Sequence, residues 1–373
     1  MLKHLRLGKR RVIRAYFGPV FLEARDRAHY IFAQGRINSS KDDSQKAIVM
    51  VKSKDQGKSW SRPRVIFDPG AVLHEIVAYQ SPSTDKLGLL FQIVLKNPKG
   101  KVIKREMVRL SSGDEGKTWQ KTNLKEEGLN LYQWTKNKER FTTFQPTGMP
   151  IVVQEGPFKG RMVLSGYGLL ERRDSKNPYL TKKLRAIVSL FSEDGGETWV
   201  MGNPQTQTKT GEFSFAGEST LTELSGGVLY MVVRPKKRQK SRFQTYSFNG
   251  GKTWSTLEKT KNLAPVSVFQ SMTNFKRGNK GDVLLLSMPN LSLRMRGSVY
   301  FSLNQGASWK RKTLVRGFFD YSDIKVLRDR RIAVVYSRGG HGPFGVNISY
   351  FSLNWLINGG GFKAKVQNNF VRP

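Results

Sequence analysis

The chain has 373 residues, 64 Lys and Arg against 28 Asp and Glu, and a formal net charge of +36, so an account of its function has to include an anionic partner or surface. With 38% apolar and 11% aromatic residues and 36 glycines it holds material for a large core, which excludes an intrinsically disordered chain. Cysteine is absent and the four histidines (His4, His29, His74, His341) show no ligand spacing, which excludes disulfides, a thiolate zinc site and a cysteine nucleophile; no metal or cofactor is expected.

The first segment in chain order is basic, about residues 1–13, with Lys3, Arg6, Lys9, Arg10 and Arg11. No signal-peptide core follows it, and no apolar run approaches the roughly 20 residues of a membrane span, so the chain is expected to stay inside the cell or to be a mature form. A turn pattern, Ser-x-Asp-x-Gly-x-Ser/Thr-Trp, then recurs. It runs Ser53 to Trp60, Ser112 to Trp119 and Ser192 to Trp199, and twice more with Asn in the acidic slot, Ser247 to Trp254 and Ser302 to Trp309. Successive Trp residues lie 59, 80, 55 and 55 positions apart.

Each copy follows a β-branched or aromatic run such as residues 47–51 or 298–301, so it reads as a hairpin turn. The Asp or Asn bonds local amides, the Gly takes the left-handed position and the Trp covers the junction between sheets. These acids are structural, and catalysis belongs elsewhere. A repeat of about 55 residues with one such hairpin has the size of a four-stranded blade. The fold class expected is all-β, a six-bladed β-propeller, residues 1–373 forming one domain. A strand around residues 349–355 is expected to close the last blade by pairing with the N-terminal strand.

Turns of this kind, and the segments between them from about Tyr16 to Trp355, resemble the sialidase superfamily, whose six-bladed propellers carry them as Asp boxes. The resemblance assigns Asp42, in Arg36-Ile-Asn-Ser-Ser-Lys-Asp42, as general acid with Arg36 on the substrate beside it; Asp43 is the rival. It assigns Glu218, in Gly217-Glu-Ser-Thr, as the base partnering the nucleophile, with Glu212 and Glu223 as surface acids. Arg234 and Arg294 become carboxylate-binding arginines, Arg296 being the fallback for Arg294. Tyr321, in Asp320-Tyr-Ser-Asp-Ile, becomes the nucleophile.

The chemistry accounts for this choice of groups. A sugar acid with its carboxylate on the anomeric carbon calls for arginine, whose planar fork binds a carboxylate bidentately. It also disfavours a carboxylate nucleophile, so a Tyr with an adjacent base serves instead. The chain departs from the family at its first arginine. Aligning on Pro19 puts Phe17 there, whereas Arg14 requires a longer hairpin, and the acid that buttresses that arginine falls near Ser337. Three readings follow: an exo-sialidase completed by Arg14 or a displaced arginine, a hydrolase of another keto-sugar acid such as Kdo or Kdn, and a non-catalytic lectin. The presence of Asp42, Glu218 and Tyr321 opposes the third.

Basic runs at residues 96–105 and 236–242 carry no nucleic-acid-binding signature, so only nonspecific, salt-sensitive association with nucleic acid is expected. The bulk of the positive charge fits an anionic membrane or glycan surface, in a periplasmic, secreted or membrane-surface setting.

Overall fold

The computed structural model describes residues 11–134, 138–174, 177, 179–209, 211–212, 217–338, 345–360 and 365–367. His341 and most of the basic N-terminal segment lie outside them. Six four-stranded antiparallel sheets follow one another along the chain, each built from contiguous sequence. Blade 1 comprises Ile13–Glu23, His29–Ile37, Lys46–Ser53 and Arg64–Phe67. Blade 2 runs from Val72–Gln80 to Gln120–Asn123, blade 3 from Glu139–Val152 to Val200–Met201, and blade 4 from Ser219–Glu223 to Glu258–Lys259. Blade 5 runs from Ser271–Phe275 to Lys310–Phe318, and blade 6 from Ser322–Val326 to Lys365–Gln367. The 80-residue spacing between Trp119 and Trp199 is absorbed by the link before blade 3 and by that blade's long hairpin, Met162–Arg173 with Thr181–Ser192.

The recurring turn joins the third and fourth strands of blades 1 to 5, and its hydrogen bonds explain its residue types. The Ser hydroxyl accepts the Gly amide, at 2.8 Å for Gly57 and 2.7 Å for Gly196. The Asp carboxylate accepts the amide four residues on, at 2.8 Å in the first copy and 2.9 Å in the third. In the third copy the Thr198 hydroxyl donates to Asp194 at 2.6 Å, whereas in the fourth Asn249 Nδ2 donates to the Thr253 hydroxyl at 2.8 Å. A hydroxyl can play either part, so Asn replaces Asp without losing a bond. The Gly at the fifth position has φ between 80° and 94° in all five copies, where any Cβ is strained.

The core is a ring of six clusters between blades. Trp119 packs in the cluster between blades 1 and 2, Trp199 between 2 and 3, Trp254 between 3 and 4, and Trp309 between 4 and 5. Trp60 covers the junction of blades 6 and 1. Blade 6 has no such turn; the helix Leu353–Asn358, capped by Ser352 and Gly359, presents Trp355 to the cluster between blades 5 and 6.

Among the described residues the expected closing strand is not formed. Gly345–Phe351 is the third strand of its own blade, paired with Ile332–Arg338 and Lys365–Gln367, while Ile13–Glu23 pairs, among those residues, only with His29–Ile37. Each blade already has four strands from contiguous sequence, so closure needs none in common. It rests on the blade 6–blade 1 cluster and on three amides of one blade bound to side chains of the other. Phe21 N donates to Asp323 at 2.9 Å, Gly18 N to the Ser337 hydroxyl at 3.2 Å, and Arg328 N to Glu23 at 2.9 Å.

Candidate active site

Strands run antiparallel within a blade, so the connections between second and third strands, and the links from one blade to the next, all emerge on one face. A cavity of about 410 Å³ opens there, lined from every blade. Blade 1 supplies Phe17, Gln34, Arg36 and Asp42; blade 2 His74 and Glu75; blade 3 Gln145 and Tyr167; blade 4 Glu218 and Arg234; blade 5 Arg294; blade 6 Asp320 and Tyr321. Six of the seven residues singled out from the sequence thus share one cavity.

Tyr321 stands at its floor. Its hydroxyl donates to Glu218 Oε1 at 2.5 Å and accepts Arg234 Nη1 at 3.0 Å. Arg234 Nη1 also holds Glu218 Oε2 in an ion pair, and Ser267 Oγ accepts from its Nε at 3.3 Å. Burial, reinforced by the Glu218 charge and opposed by Arg234, pushes the Tyr321 phenol well above its ordinary value, so it is neutral until a reaction takes its proton. Gly217, at φ 108°, lets Glu218 approach: a Cβ there would lie 2.3 Å from the Tyr167 ring.

Arg294 projects from the blade 5 hairpin, its Nη1 on Asp320 Oδ1 at 2.6 Å and its guanidinium 5.7 Å from the Tyr321 ring centre. Arg296 is exposed and outside the cavity. Arg36 lies over the Phe17 ring at 4.3 Å and donates to Asp42 Oδ1 at 2.9 Å. Asp42 stands at the mouth, 71% exposed, above the fully buried Lys46, whose ammonium lies 3.5 Å from its carboxylate and donates to Leu73 O at 2.9 Å. Desolvation opposes the Asp42 charge, but Lys46 and Arg36 outweigh it and hold the carboxyl below the ordinary carboxylate range. Asp43 is exposed and outside the cavity.

Two expectations are corrected. Arg14 is exposed and does not line the cavity: the register of its strand shifts between Ile13 and Ala15, which turns the side chain out and leaves Phe17 at the pocket, 4.8 Å from the Tyr321 ring. Glu223 is no surface acid. It is buried, and its carboxylate accepts the amides of Gln154 and Glu155 at 2.8 to 3.0 Å. The Glu212 side chain lies outside the described residues.

Glu75 and His74 were missed by sequence reasoning, although a His-Glu pair inside the apolar run from Val72 to Tyr79 is a legible signal. Glu75 sits at a register shift with φ 44°, a conformation a non-glycine residue adopts at a cost. Burial first, then the charges of Glu218 and Asp42, push its carboxyl from an ordinary 4.5 up to about 8. The folded chain thus keeps a proton that the unfolded chain releases, and stability from this group falls as pH rises from about 4.5 to 8. Glu75→Gln removes that loss, so its gain in Tm over the parent should be larger at pH 8 than at pH 5, by a few degrees in thermal unfolding. Equal gains at the two pH values would contradict the burial of an acid here. Among the described residues no group of three His, Asp or Glu could hold a metal ion.

A family model described as a BNR repeat-like domain matches residues 28–334. The chain is 28% identical over 173 residues to a sialidase of Vibrio cholerae serotype O1, covering 40% of this chain and 22% of that protein. It is 26% identical over 242 residues to a sialidase of Bacteroides fragilis, covering 62% of this chain and 39% of that protein. The match therefore spans well under half the length of both relatives. Among solved structures, the intramolecular trans-sialidase of Ruminococcus gnavus in complex with oseltamivir carboxylate superposes with a TM-score of 0.71 at 13% identity, over 92% of this chain and 96% of that one, a likeness of fold.

Proposed function

From the premise that this chain belongs to the BNR repeat-like domain family and to the sialidase superfamily, we propose that it is a retaining exo-glycosidase that cleaves a terminal, α-ketosidically linked sugar acid from a glycoconjugate. The observation that carries the reading is the Tyr321–Glu218–Arg234 cluster, with its short phenol-to-carboxylate bond, on the floor of a cavity that also holds Arg36, Arg294 and Asp42. Each of these arginines is paired with a carboxylate of the chain, and Arg234 and Arg294 flank Tyr321, where their guanidinium groups suit a carboxylate on the anomeric carbon.

In the first step the Tyr321 oxygen bonds to the anomeric carbon as its proton passes to Glu218, the glycosidic bond breaks, and Asp42 protonates the departing oxygen. Water then attacks from the vacated side, giving a proton to Asp42, and the phenolate leaves and recovers its proton from Glu218. Two displacements retain the anomeric configuration. The neutral phenol lets an anionic substrate approach without charge repulsion.

One observation favours a substrate other than ordinary sialic acid. Phe17 occupies the corner where the family carries its first arginine, and Ser337, where the buttressing acid would stand, instead accepts the Gly18 amide. Arginine and acid are absent together, as the cost of an unpaired buried charge requires, and the pocket is left with two carboxylate-binding arginines. This supports a related keto-sugar acid such as Kdo or Kdn. Incubation with aryl ketosides of sialic acid, Kdn and Kdo tests both readings. Turnover of at least one is expected, and the preferred one identifies the acid; no turnover of any by folded protein would overturn the enzymatic reading.

A further inference from the structure

Ten large apolar side chains stand exposed among the described residues, and seven of them lie on the face into which the cavity opens. The other three, Val200, Phe248 and Leu303, lie at the opposite end of the blades beside the recurring turns. The seven are grouped at three hairpin tips. In blade 2 the tip carries Val102 and Ile103, the latter 64% exposed, beside Lys99 and Lys101. In blade 3 the longest hairpin carries Tyr179, 94% exposed, and Leu180, with the exposed Asp174 on one side, its amide on the Leu180 carbonyl, and Lys182 and Lys183 on the other. In blade 5 Leu291 and Leu293, the latter 74% exposed, stand with Phe318 at the end of the neighbouring strand, flanked by Arg296 and Arg316. Between the second and third of these, the blade 4 tip presents Lys236, Lys237 and Arg238 without an apolar partner. Residues 96–105, 234–242 and 291–297 contain no acid.

Isolated apolar residues on a surface need no explanation, but a one-sided set at the protruding tips does. Leucine, isoleucine and tyrosine surrounded by lysine and arginine suit an interface with an apolar interior and an anionic boundary. The apolar ends enter the acyl layer, Tyr sits at the boundary, and the cations meet headgroup phosphates. A protein partner would call for one continuous patch, and a soluble polyanion would use the cations but not the aliphatic tips. We propose that the cavity face is a membrane-docking surface for an anionic bilayer, presenting the active site to a sugar acid carried on a lipid. The inference extends the reading of the site as a glycosidase, but docking is measured without turnover, so either can fail without the other.

The test is co-sedimentation with vesicles of phosphatidylcholine, alone and mixed with phosphatidylglycerol. Binding to the mixed vesicles is expected, and Lys236→Ser, Lys237→Ser and Arg238→Ser together should weaken it at low salt on the order of a hundredfold. Part of the binding should survive about 1 M salt, where the screening length is only about 3 Å. Ile103→Ser, Tyr179→Ser and Leu180→Ser together should abolish that part, with Tm and turnover of a soluble ketoside unchanged. Complete loss of binding in salt with no effect of the apolar substitutions would assign the face to a soluble polyanion and overturn the proposal. Equal binding to vesicles without phosphatidylglycerol would overturn it too.

Discussion

Tyr321→Phe is expected to lower kcat on its preferred ketoside by at least about a thousandfold while leaving the fold intact. The hydroxyl is the only group removed. It donates to Glu218 and accepts from Arg234, which remain paired with each other, so no buried charge is stranded and the stability cost is about 1 to 3 kcal/mol. The size of the kinetic effect follows from what the phenol does. Buried and held neutral, it arrives at the anomeric carbon without repelling the substrate carboxylate, and Glu218 is already in place to take its proton. Near-normal kcat in a folded Tyr321→Phe protein would remove the nucleophile from the account.

Asp42→Ala should cost on the order of a hundredfold or more on a substrate with an alkyl leaving group, and far less on an aryl ketoside whose leaving oxygen needs no protonation. The pH profile carries the second half of this prediction. With Lys46 and Arg36 holding the Asp42 carboxyl below the ordinary range, the free protein has its acid protonated only at strongly acidic pH, so kcat/KM on the alkyl substrate should already be falling at pH values below the usual carboxylate range. A substrate anion that engages Arg36 takes one of those two partners away. The proton affinity of Asp42 then rises, and kcat should persist to higher pH than kcat/KM. Loss of equal size on both leaving groups, with superimposed pH profiles, would point to Asp42 as a binding residue instead.

The ring of blades was legible because it is periodic. Each turn carries its own Ser, Asp or Asn, Gly and Trp within eight residues, and every one of those bonds is local. Asp42, Glu218, Arg234, Arg294 and Tyr321 were legible as family motifs in order, and the chain brings them together although Glu218 and Tyr321 are 103 residues apart. What the sequence concealed sits at irregular backbone. The choice between Arg14 and Phe17 turns on a shift of register at Arg14 itself, and side-chain alternation cannot be counted through such a shift. Glu75 lies at another shift, with a left-handed φ that no pattern announces. Glu223 looks like a surface acid by position, but its partners, the amides of Gln154 and Glu155, come from the neighbouring blade. The missing closing strand has a different origin: a ring of blades can be closed either by a strand paired across the joint or by packing alone, and only the ring as a whole decides between them.

The proposed reaction turns on a bond from Tyr321 to the anomeric carbon. It is tested most directly by incubating the protein with the 2,3-difluoro derivative of whichever sugar acid it releases, followed by digestion and mass spectrometry. The fluorine beside the anomeric carbon slows both displacements, and the good leaving group restores the first. A covalent adduct on the peptide carrying Tyr321, absent from the Tyr321→Phe protein, is the expected result. Turnover of the natural ketoside with no adduct, or an adduct on another residue, would contradict it.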